Sequence, residues 1–326
     1  MRSSSPPWDE PVSWIGRLLL ALLVPMAAAC SSVPAEPPSE PPAKRIALSF
    51  DDAPMADGPL FSGRERTQRL IAALKTARVP QAAIFVTTEG LGRDEGKARI
   101  RAYAAAGHPI ANHSHQHRRL KAIGPEAYLA DIDKAEAELK RFPNRRPWFR
   151  FPYLNESPDV ASRDAVRAGL KARGLANGYV TVDTWDWAIV RQMVLAKAAG
   201  NEIDLNALRD LYLEVMLSAV DTYDGVAREA LGRSPAHVLL AHENDLQALF
   251  IGDLVAALRK RGWTIVTPDE AFADPIAKEA PDTLHNGNGR VAALAAVRGM
   301  PAARLRDRYH DEKLLAELFE QRVIRK

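Results

Sequence analysis

The stretch RIALSFDDAP, residues 45–54, begins the part of the chain whose pattern predicts a fold. Its apolar run predicts a buried strand, and residues 64–77 then show the periodicity of an amphipathic helix. Short apolar runs and amphipathic stretches go on alternating, which is typical of an α/β protein built from β/α units. We expect strands at residues 45–50, 82–87, 108–112, 148–151, 178–182, 237–241 and 264–266, and helices that include 126–141, 159–172, 205–231 and 246–261.

Polar side chains follow the first strand, at the end where β/α folds place their chemistry. Asp51 and Asp52 are adjacent carboxylates there. One of them can bind a divalent cation while its neighbour, with a pKa shifted by that cation, moves protons. The alternative interpretation is an Asp-Asp-x-Pro turn whose acids are solvated.

A second polar segment, HSHQH, follows the third expected strand and has an imidazole at each end. His113 and His117 are four residues apart, a spacing that lets two neutral imidazoles converge on one ion such as zinc. The alternatives are a histidine-rich polar loop or one core histidine bonded to a carbonyl. His115, between them, is either a spare ligand or a loop histidine.

Other strand ends carry unusual polar residues as well. Arg150 ends the fourth strand, and a buried arginine needs a carboxylate partner, for which Asp51 is the candidate. Asp183 ends the fifth strand within the segment DTWDW, and His242 follows the strand at residues 237–241. A third histidine therefore also lies at a strand end.

The segments SFDDAP, HSHQH, RFPY, DTWDW and LLAH, in this order over residues 49–242, resemble the five motifs of the polysaccharide deacetylases. This family is carbohydrate esterase family four, the homology domain of nodulation-type chitooligosaccharide deacetylases. The resemblance covers residues 45–273 and implies a distorted (β/α) barrel of about seven strands with one divalent metal. Zinc is the expected metal, since two imidazoles and a carboxylate suit it, and cobalt, manganese or nickel are the alternatives.

The resemblance also implies a role for each matching residue. Its metal ligands are Asp52, His113 and His117. Its catalytic residues are Asp51 as the general base, His242 as the general acid, Arg150 to orient the base and Asp183 to orient the acid. Its substrate-binding residues are Tyr153, whose backbone N–H binds the oxyanion, and Trp187 and Leu240, which shape the pocket for the acetyl methyl.

The chemistry of such a site is amide hydrolysis. An Asp-His-His set leaves coordination positions open, so the ion can activate a water and polarise a carbonyl. The base takes the proton of that water, and the acid protonates the amine, which is otherwise a poor leaving group.

The amino terminus has the features of an export signal. Residues 14–29, WIGRLLLALLVPMAAA, hold an apolar core that is too short to span a bilayer comfortably. We expect residues 1–29 to be a signal peptide and Cys30 to be lipidated, because MAAAC resembles a lipobox and this is the one cysteine of the chain. Ordinary cleavage after Ala29 is the alternative. Residues 30–44 are then a proline-rich tether.

The remaining features define the functional hypotheses. With 44 basic and 41 acidic residues, a formal charge of +3 gives no reason to propose a nucleic acid partner. Residues 274–326 form an extension outside the resemblance, with a helix expected at residues 311–323, and its role stays open. We expect a lipid-anchored N-deacetylase of the cell envelope that acts on peptidoglycan or a chitin-like glycan. The alternatives are an esterase or amidase acting on acetylxylan or a small amide, and a non-catalytic glycan-binding lipoprotein.

Overall fold

The computed structural model describes residues 44–93 and 95–325. Within these ranges strands and helices alternate along the chain, as the sequence pattern predicts. The strands are β1 (Lys44–Ala53), β2 (Ala82–Val86), β3 (Ile110–Asn112), β4 (Arg145–Phe149), β5 (Ala176–Asn177), β6 (Ala236–His242) and β7 (Trp263–Ile265). The α-helices are α1 (Gly63–Thr76), α2 (Gly96–Ala105), α3 (Leu120–Leu139), α4 (Val160–Ala172), α5 (Asp186–Ala198), α6 (Leu205–Leu231), α7 (Asp245–Lys260), α8 (Pro268–Phe272), α9 (Gly289–Val297) and α10 (Glu312–Arg322).

The strands form one parallel sheet that curls into a barrel. They hydrogen-bond in the order β5-β4-β3-β2-β1-β6, and β7 pairs with the first residues of β1. Val182, which follows β5, bridges to Leu239 of β6 and brings the two ends of the sheet together. The expectation of a distorted (β/α) barrel of about seven strands is confirmed.

Local sequence signals fix where the elements begin and end. Strands β1, β2, β3 and β6 are buried at most or all of their positions, which explains why they read as apolar runs rather than as alternating patterns. The side chain of Asn244 accepts hydrogen bonds from the first N–H groups of α7. This cap starts the helix immediately after the histidine that ends β6.

The fifth strand is shorter and earlier than the sequence indicates. The expected strand at residues 178–182 is wrong, because β5 covers only Ala176–Asn177. The carbonyl oxygens of Gly178 and Tyr179 accept hydrogen bonds from the Arg150 side chain instead of from a neighbouring strand. Thr181 and Val182 then donate to the carbonyl of Val238. A buried arginine therefore replaces part of the ladder.

The apolar core continues from the barrel into the extension. Helix α9 packs on α6, and α10 packs on α5 and α6. Val291 and Phe319 of the extension belong to the same buried cluster as Ile46 of β1. The sequence left the role of residues 274–326 open, and the structure packs the described part of them onto the barrel with a shared core.

The amino-terminal expectations lie outside the described residues. These are the signal peptide over residues 1–29, lipidation of Cys30 and the tether up to residue 43. In the described part of the chain, no helix has the length and apolarity needed to cross a membrane.

Candidate active site

Three potential metal ligands meet at the carboxyl edge of the barrel. Asp52 comes from the end of β1, and His113 and His117 follow β3. Asp52 Oδ1 lies 3.5 Å from His113 Nε2 and 3.3 Å from His117 Nε2. One donor atom from each residue lies within 4.8 Å of the other two. The structure thus brings together the three residues that the resemblance gives as metal ligands.

The chemistry of these donors fits a divalent cation. Asp52 Oδ1 is buried and has no hydrogen-bond partner among the described residues, a state that needs a compensating charge. His113 Nδ1 donates to the carbonyl oxygen of Arg150 at 2.9 Å, which leaves the lone pair of Nε2 facing Asp52. Burial lowers the pKa of His117 to about 4. This imidazole is therefore neutral at physiological pH, the form that binds metals.

A tight turn presents the two histidines. Ser114 and His117 have positive φ angles of 70° and 53°, which non-glycine residues adopt only at a cost. Side-chain hydrogen bonds compensate: Ser114 N donates to Asn112 Oδ1 at 2.7 Å, and His117 N donates to Ser114 Oγ at 2.8 Å. His115 Nδ1 is hydrogen-bonded to Thr88 Oγ1 at 2.8 Å and lies outside the ligand cluster. The motif is a turn and not a helical segment, and His115 is a loop histidine.

Asp51 is held by the arginine that the sequence paired with it. Arg150 Nη1 donates to Asp51 Oδ1 at 2.5 Å, and the guanidinium lies 3.7 Å above the Phe85 ring. Both members of the pair are buried, with 3% of Asp51 and 1% of Arg150 exposed. Asp51 Oδ2 faces His113 Nε2 at 3.6 Å. One oxygen of the carboxylate is thus fixed by Arg150, while the other faces the three potential metal ligands.

His242 is oriented by Asp186 and not by Asp183. Its Nδ1 lies 2.7 Å from Asp186 Oδ1, and its backbone N–H donates to Asp186 Oδ2 at 2.9 Å. Asn244 and Gln247 also donate to Asp186 Oδ2, at 2.7 and 3.0 Å. Burial alone would lower the pKa of His242, but the carboxylates around it, above all that of Asp186, raise it to about 10. The imidazole is therefore protonated and directed into the site.

The expectation that Asp183 orients the acid is wrong. The two aspartates of DTWDW are three residues apart, and the backbone turns between them as α5 begins at Asp186. Asp186 is therefore the carboxylate that reaches His242, whereas Asp183 Oδ2 lies 3.3 Å from Asn288 Nδ2 and 3.6 Å from His310 Nδ1. The motif contains the correct residue, but motif order alone could not choose between the two.

Asp51, His242 and the three potential metal ligands line one pocket of about 690 Å³. Tyr153, Trp187 and Leu240, the expected substrate-binding residues, line it too. Tyr153 is 47% exposed, at the rim of the pocket. Its ring centroid lies 4.6 Å from that of His117, and the Arg119 guanidinium lies 3.7 Å above the ring. One wall of the pocket thus consists of the His117 imidazole, a phenol ring tilted 55° to it and an arginine.

A buried charge cluster behind the site escaped the sequence analysis. Glu243, which follows His242, is completely buried and bonded to Arg99 at 2.8 and 3.0 Å. Its Oε2 also accepts the backbone N–H of Met55 at 2.9 Å. Arg66 donates to the Met55 carbonyl at 2.7 Å. The cluster connects the loop after Asp52 to the strand that carries His242. The one signal for it in the sequence is that Glu243 directly follows His242.

Together these features define the class of protein. A buried carboxylate, an oriented imidazole and three potential metal ligands converge on one pocket at the strand ends, an arrangement that suits a hydrolase. Residues 39–172 match the family model described as polysaccharide deacetylase. This part of the chain is a polysaccharide deacetylase domain, the type of domain found in hydrolases of carbon–nitrogen bonds other than peptide bonds.

Solved structures of similar proteins extend the comparison. A polysaccharide deacetylase from Bacillus cereus has a TM-score of 0.51 and 18% identity, with 69% of this chain and 91% of that chain covered. A family 4 carbohydrate esterase from Streptomyces lividans, in complex with acetate, has a TM-score of 0.45, 20% identity and coverages of 70% and 95%. A family 4 pseudoenzyme from Bacillus anthracis has a TM-score of 0.48, 18% identity and coverages of 71% and 66%. The first of these supports the barrel fold.

Proposed function

We propose that this protein is a metal-dependent N-deacetylase of the cell envelope that acts on an N-acetylhexosamine glycan, either peptidoglycan or a chitin-like oligosaccharide. The observation that carries the proposal is that two oriented side chains line the same pocket as the three potential metal ligands. Asp51 is fixed by Arg150 and His242 is fixed by Asp186, and both face the pocket that Asp52, His113 and His117 line.

The cluster of Asp52, His113 and His117 would hold the cation, with zinc favoured by its two imidazoles and one carboxylate. When bound, the cation supplies Lewis-acid chemistry, polarising the acetamide carbonyl and lowering the pKa of water. The turn that contains His117 and the bond from His113 to the Arg150 carbonyl hold the donors in place before any ion arrives.

Asp51 supplies the base. Arg150 satisfies one carboxylate oxygen, so the other, which faces the cluster, is the atom that accepts a proton from the attacking water. Arg150 also keeps the Asp51 carboxylate oriented, because the guanidinium of Arg150 is itself fixed by the carbonyl of Gly178 and the ring of Phe85.

His242 supplies the acid. It is protonated at neutral pH because Asp186 raises its pKa, and its Nδ1–H is committed to that carboxylate. The free Nε2–H is therefore the donor for the departing amine, which must be protonated to leave. The backbone N–H of Tyr153 is the proposed oxyanion donor, and Trp187 and Leu240 are the proposed walls of the acetyl pocket.

We also propose that the enzyme works outside the cytoplasm, anchored by lipid on Cys30. The support is the apolar core of residues 14–29, the small residues before the cysteine and the proline-rich stretch after it. Metabolic labelling with a palmitate analogue would test the anchor, since label should appear on the wild-type chain and be absent from Cys30→Ala.

The experiment for the activity is acetate release by the full-length chain from peptidoglycan and from chitooligosaccharides. Metal-stripped and zinc-restored protein are assayed in parallel, with Asp51→Asn as the variant that lacks the base. We expect release that requires metal and that falls by at least about a hundred-fold in Asp51→Asn.

Two results would overturn the proposal. Release from acetylxylan or a small amide, with none from either glycan, would keep the hydrolase and replace its substrate. Glycan binding without release from any substrate would replace the enzyme with a non-catalytic glycan-binding protein.

A further inference from the structure

The extension reaches the active-site pocket. Gly287 lines the pocket, and the segment around it is bonded to the barrel: Arg290 N donates to the carbonyl of Val180 at 2.6 Å. Gly289 has a φ of +82°, and a Cβ there would lie 2.6 Å from the same carbonyl oxygen. Only glycine allows this approach. The extension is thus fitted closely against the strand ends beside the site.

Asp183 is a pocket residue that the proposed mechanism does not use. It lines the pocket with 5% of its surface exposed, and Asn288 of the extension donates to its Oδ2 at 3.3 Å. Burial raises the pKa of Asp183 to about 8. At neutral pH the carboxyl is largely protonated, so it can donate as well as accept a hydrogen bond.

His310 of the extension lies behind a pocket tryptophan. Its ring stacks on Trp185 with a centroid distance of 5.0 Å and an interplanar angle of 10°. Burial lowers the pKa of His310 to about 4. Its contact of 3.6 Å with Asp183 is therefore not an ion pair at neutral pH. A neutral ring stacked flat against an indole fixes the orientation of that indole.

Trp185 is only half-buried and lines the pocket, next to Trp187 at a centroid distance of 5.0 Å. An apolar aromatic surface beside a carboxyl that can donate and accept is the combination that suits a pyranose ring. The indole covers the C–H groups of the ring, and the carboxyl bonds a hydroxyl.

We propose that Trp185 and Asp183 form a sugar-binding subsite and that the C-terminal extension, through His310 and Asn288, holds them in position. The inference rests on the proposed function, because it takes an acetylated sugar as the occupant of the pocket. Trp185 and Asp183 are substrate-binding residues in this account, and His310 and Asn288 are positioning residues. The extension then sets the affinity for the glycan, whereas the chemical step stays with the barrel residues.

The test compares His310→Ala with His310→Phe, which keeps a flat ring in the stack and removes the imidazole nitrogens. KM and kcat are measured with chitooligosaccharides, and Kd is measured by calorimetry in the Asp51→Asn background, where turnover does not interfere. We expect His310→Ala to raise KM and Kd by about three- to ten-fold with kcat nearly unchanged, and His310→Phe to restore much of the affinity.

Asp183→Leu is the second variant, because it keeps about the size of the side chain and removes both the donor and the acceptor. It should raise Kd to a similar extent, since the hydrogen bond to a sugar hydroxyl is lost. Arg306→Ala, at an exposed position of the same segment, is the matched control and should leave both constants unchanged.

The inference is overturned if Kd for the oligosaccharides is the same in wild type, His310→Ala and Asp183→Leu, or if kcat falls while Kd does not change. If His310→Ala folds poorly, His310→Phe and Asp183→Leu decide. A wild type that binds the oligosaccharides but releases no acetate would refute the proposed function alone, because the Kd comparison still measures the subsite.

Discussion

Asp186 holds His242 through both its backbone and its ring, with Oδ2 accepting the backbone N–H at 2.9 Å and Oδ1 lying 2.7 Å from Nδ1. Two further donors, Asn244 and Gln247, bind the same carboxylate, and Asp186 is completely buried. This network keeps Asp186 ionised despite burial: burial would raise its pKa, but the interactions with His242 and the hydrogen bonds lower it. A buried carboxylate with so many donors fixes the orientation of His242, the proposed acid.

Asp186→Asn should therefore impair the acid and change its pH dependence. The folded-state pKa of His242 is raised to about 10, in large part by the charge of Asp186, so removing that charge lowers the pKa. The protonated form is then lost at lower pH, and the alkaline limb of kcat/KM moves to lower pH. We expect kcat to fall by about ten- to a hundred-fold at neutral pH.

The measurement is a full pH–rate profile for wild type and Asp186→Asn. A bound cation lowers the pKa of His242 in both proteins, so the difference between the two profiles carries the prediction. Asp133→Asn is the control, because Asp133 is exposed on α3 and pairs with Arg173 outside the pocket, and its alkaline limb should coincide with that of wild type. An alkaline limb that stays in place in Asp186→Asn would contradict the assignment.

His117→Ala should abolish binding of one divalent ion, and His115→Ala should not. The two histidines share a turn, but only His117 belongs to the donor cluster, while His115 is bonded to Thr88. Zinc at a hundred times its Kd stabilises the folded state by about 2.7 kcal/mol, which corresponds to a rise in Tm of roughly 5–10 °C.

Thermal melts of metal-stripped protein, with and without zinc, measure this effect without any substrate. Wild type and His115→Ala should show the rise, and His117→Ala should melt at the same temperature in both conditions. Elemental analysis gives the stoichiometry. A full zinc-induced rise in His117→Ala would exclude the proposed ligand set.

Arg150→Met should destabilise the protein and Asp51→Asn should partly reverse the loss. Removing the guanidinium leaves Asp51 as an unpaired buried carboxylate, and breaking such a pair costs about 3–5 kcal/mol. Neutralising the carboxylate removes most of that penalty. The free energies of unfolding of both single variants and of the double variant form a cycle, measured by denaturant titration. Additive losses would mean that the two side chains do not stabilise each other.

The sequence predicted the features that depend on short-range pattern. Apolar runs predicted the positions of most strands. The polar residues at the strand ends predicted that Asp51, Asp52, His113 and His242 belong to one site, because parallel strands bring their carboxyl ends to one edge. The spacing of His113 and His117 was informative because a single turn separates them. The family match at residues 39–172 agrees with the resemblance that these residues carried.

The sequence did not predict the features that depend on one side chain or on a segment distant along the chain. Arg150 takes the carbonyls of Gly178 and Tyr179, which shortens β5 in a way that no local propensity records. The choice between Asp183 and Asp186 depends on how the chain turns into α5. His310 meets Trp185 only through the packing of the extension, about 125 residues further along the chain, and no motif connects the two.

Glu243→Gln should weaken the fold and the metal site together. Glu243 is the buried carboxylate between Arg99 and Arg66, and neutralising it leaves a net positive charge in a site without solvent. We expect a loss of about 3–5 kcal/mol of unfolding free energy.

Glu243 Oε2 also accepts the N–H of Met55, three residues after the metal ligand Asp52, so the loop should shift and zinc affinity should fall by about ten-fold. Glu320→Gln, an exposed position on α10, is the control for loss of one carboxylate. Denaturant titration and zinc competition with a chelating dye measure the two effects, and unchanged zinc affinity in a destabilised Glu243→Gln would separate the cluster from the metal site.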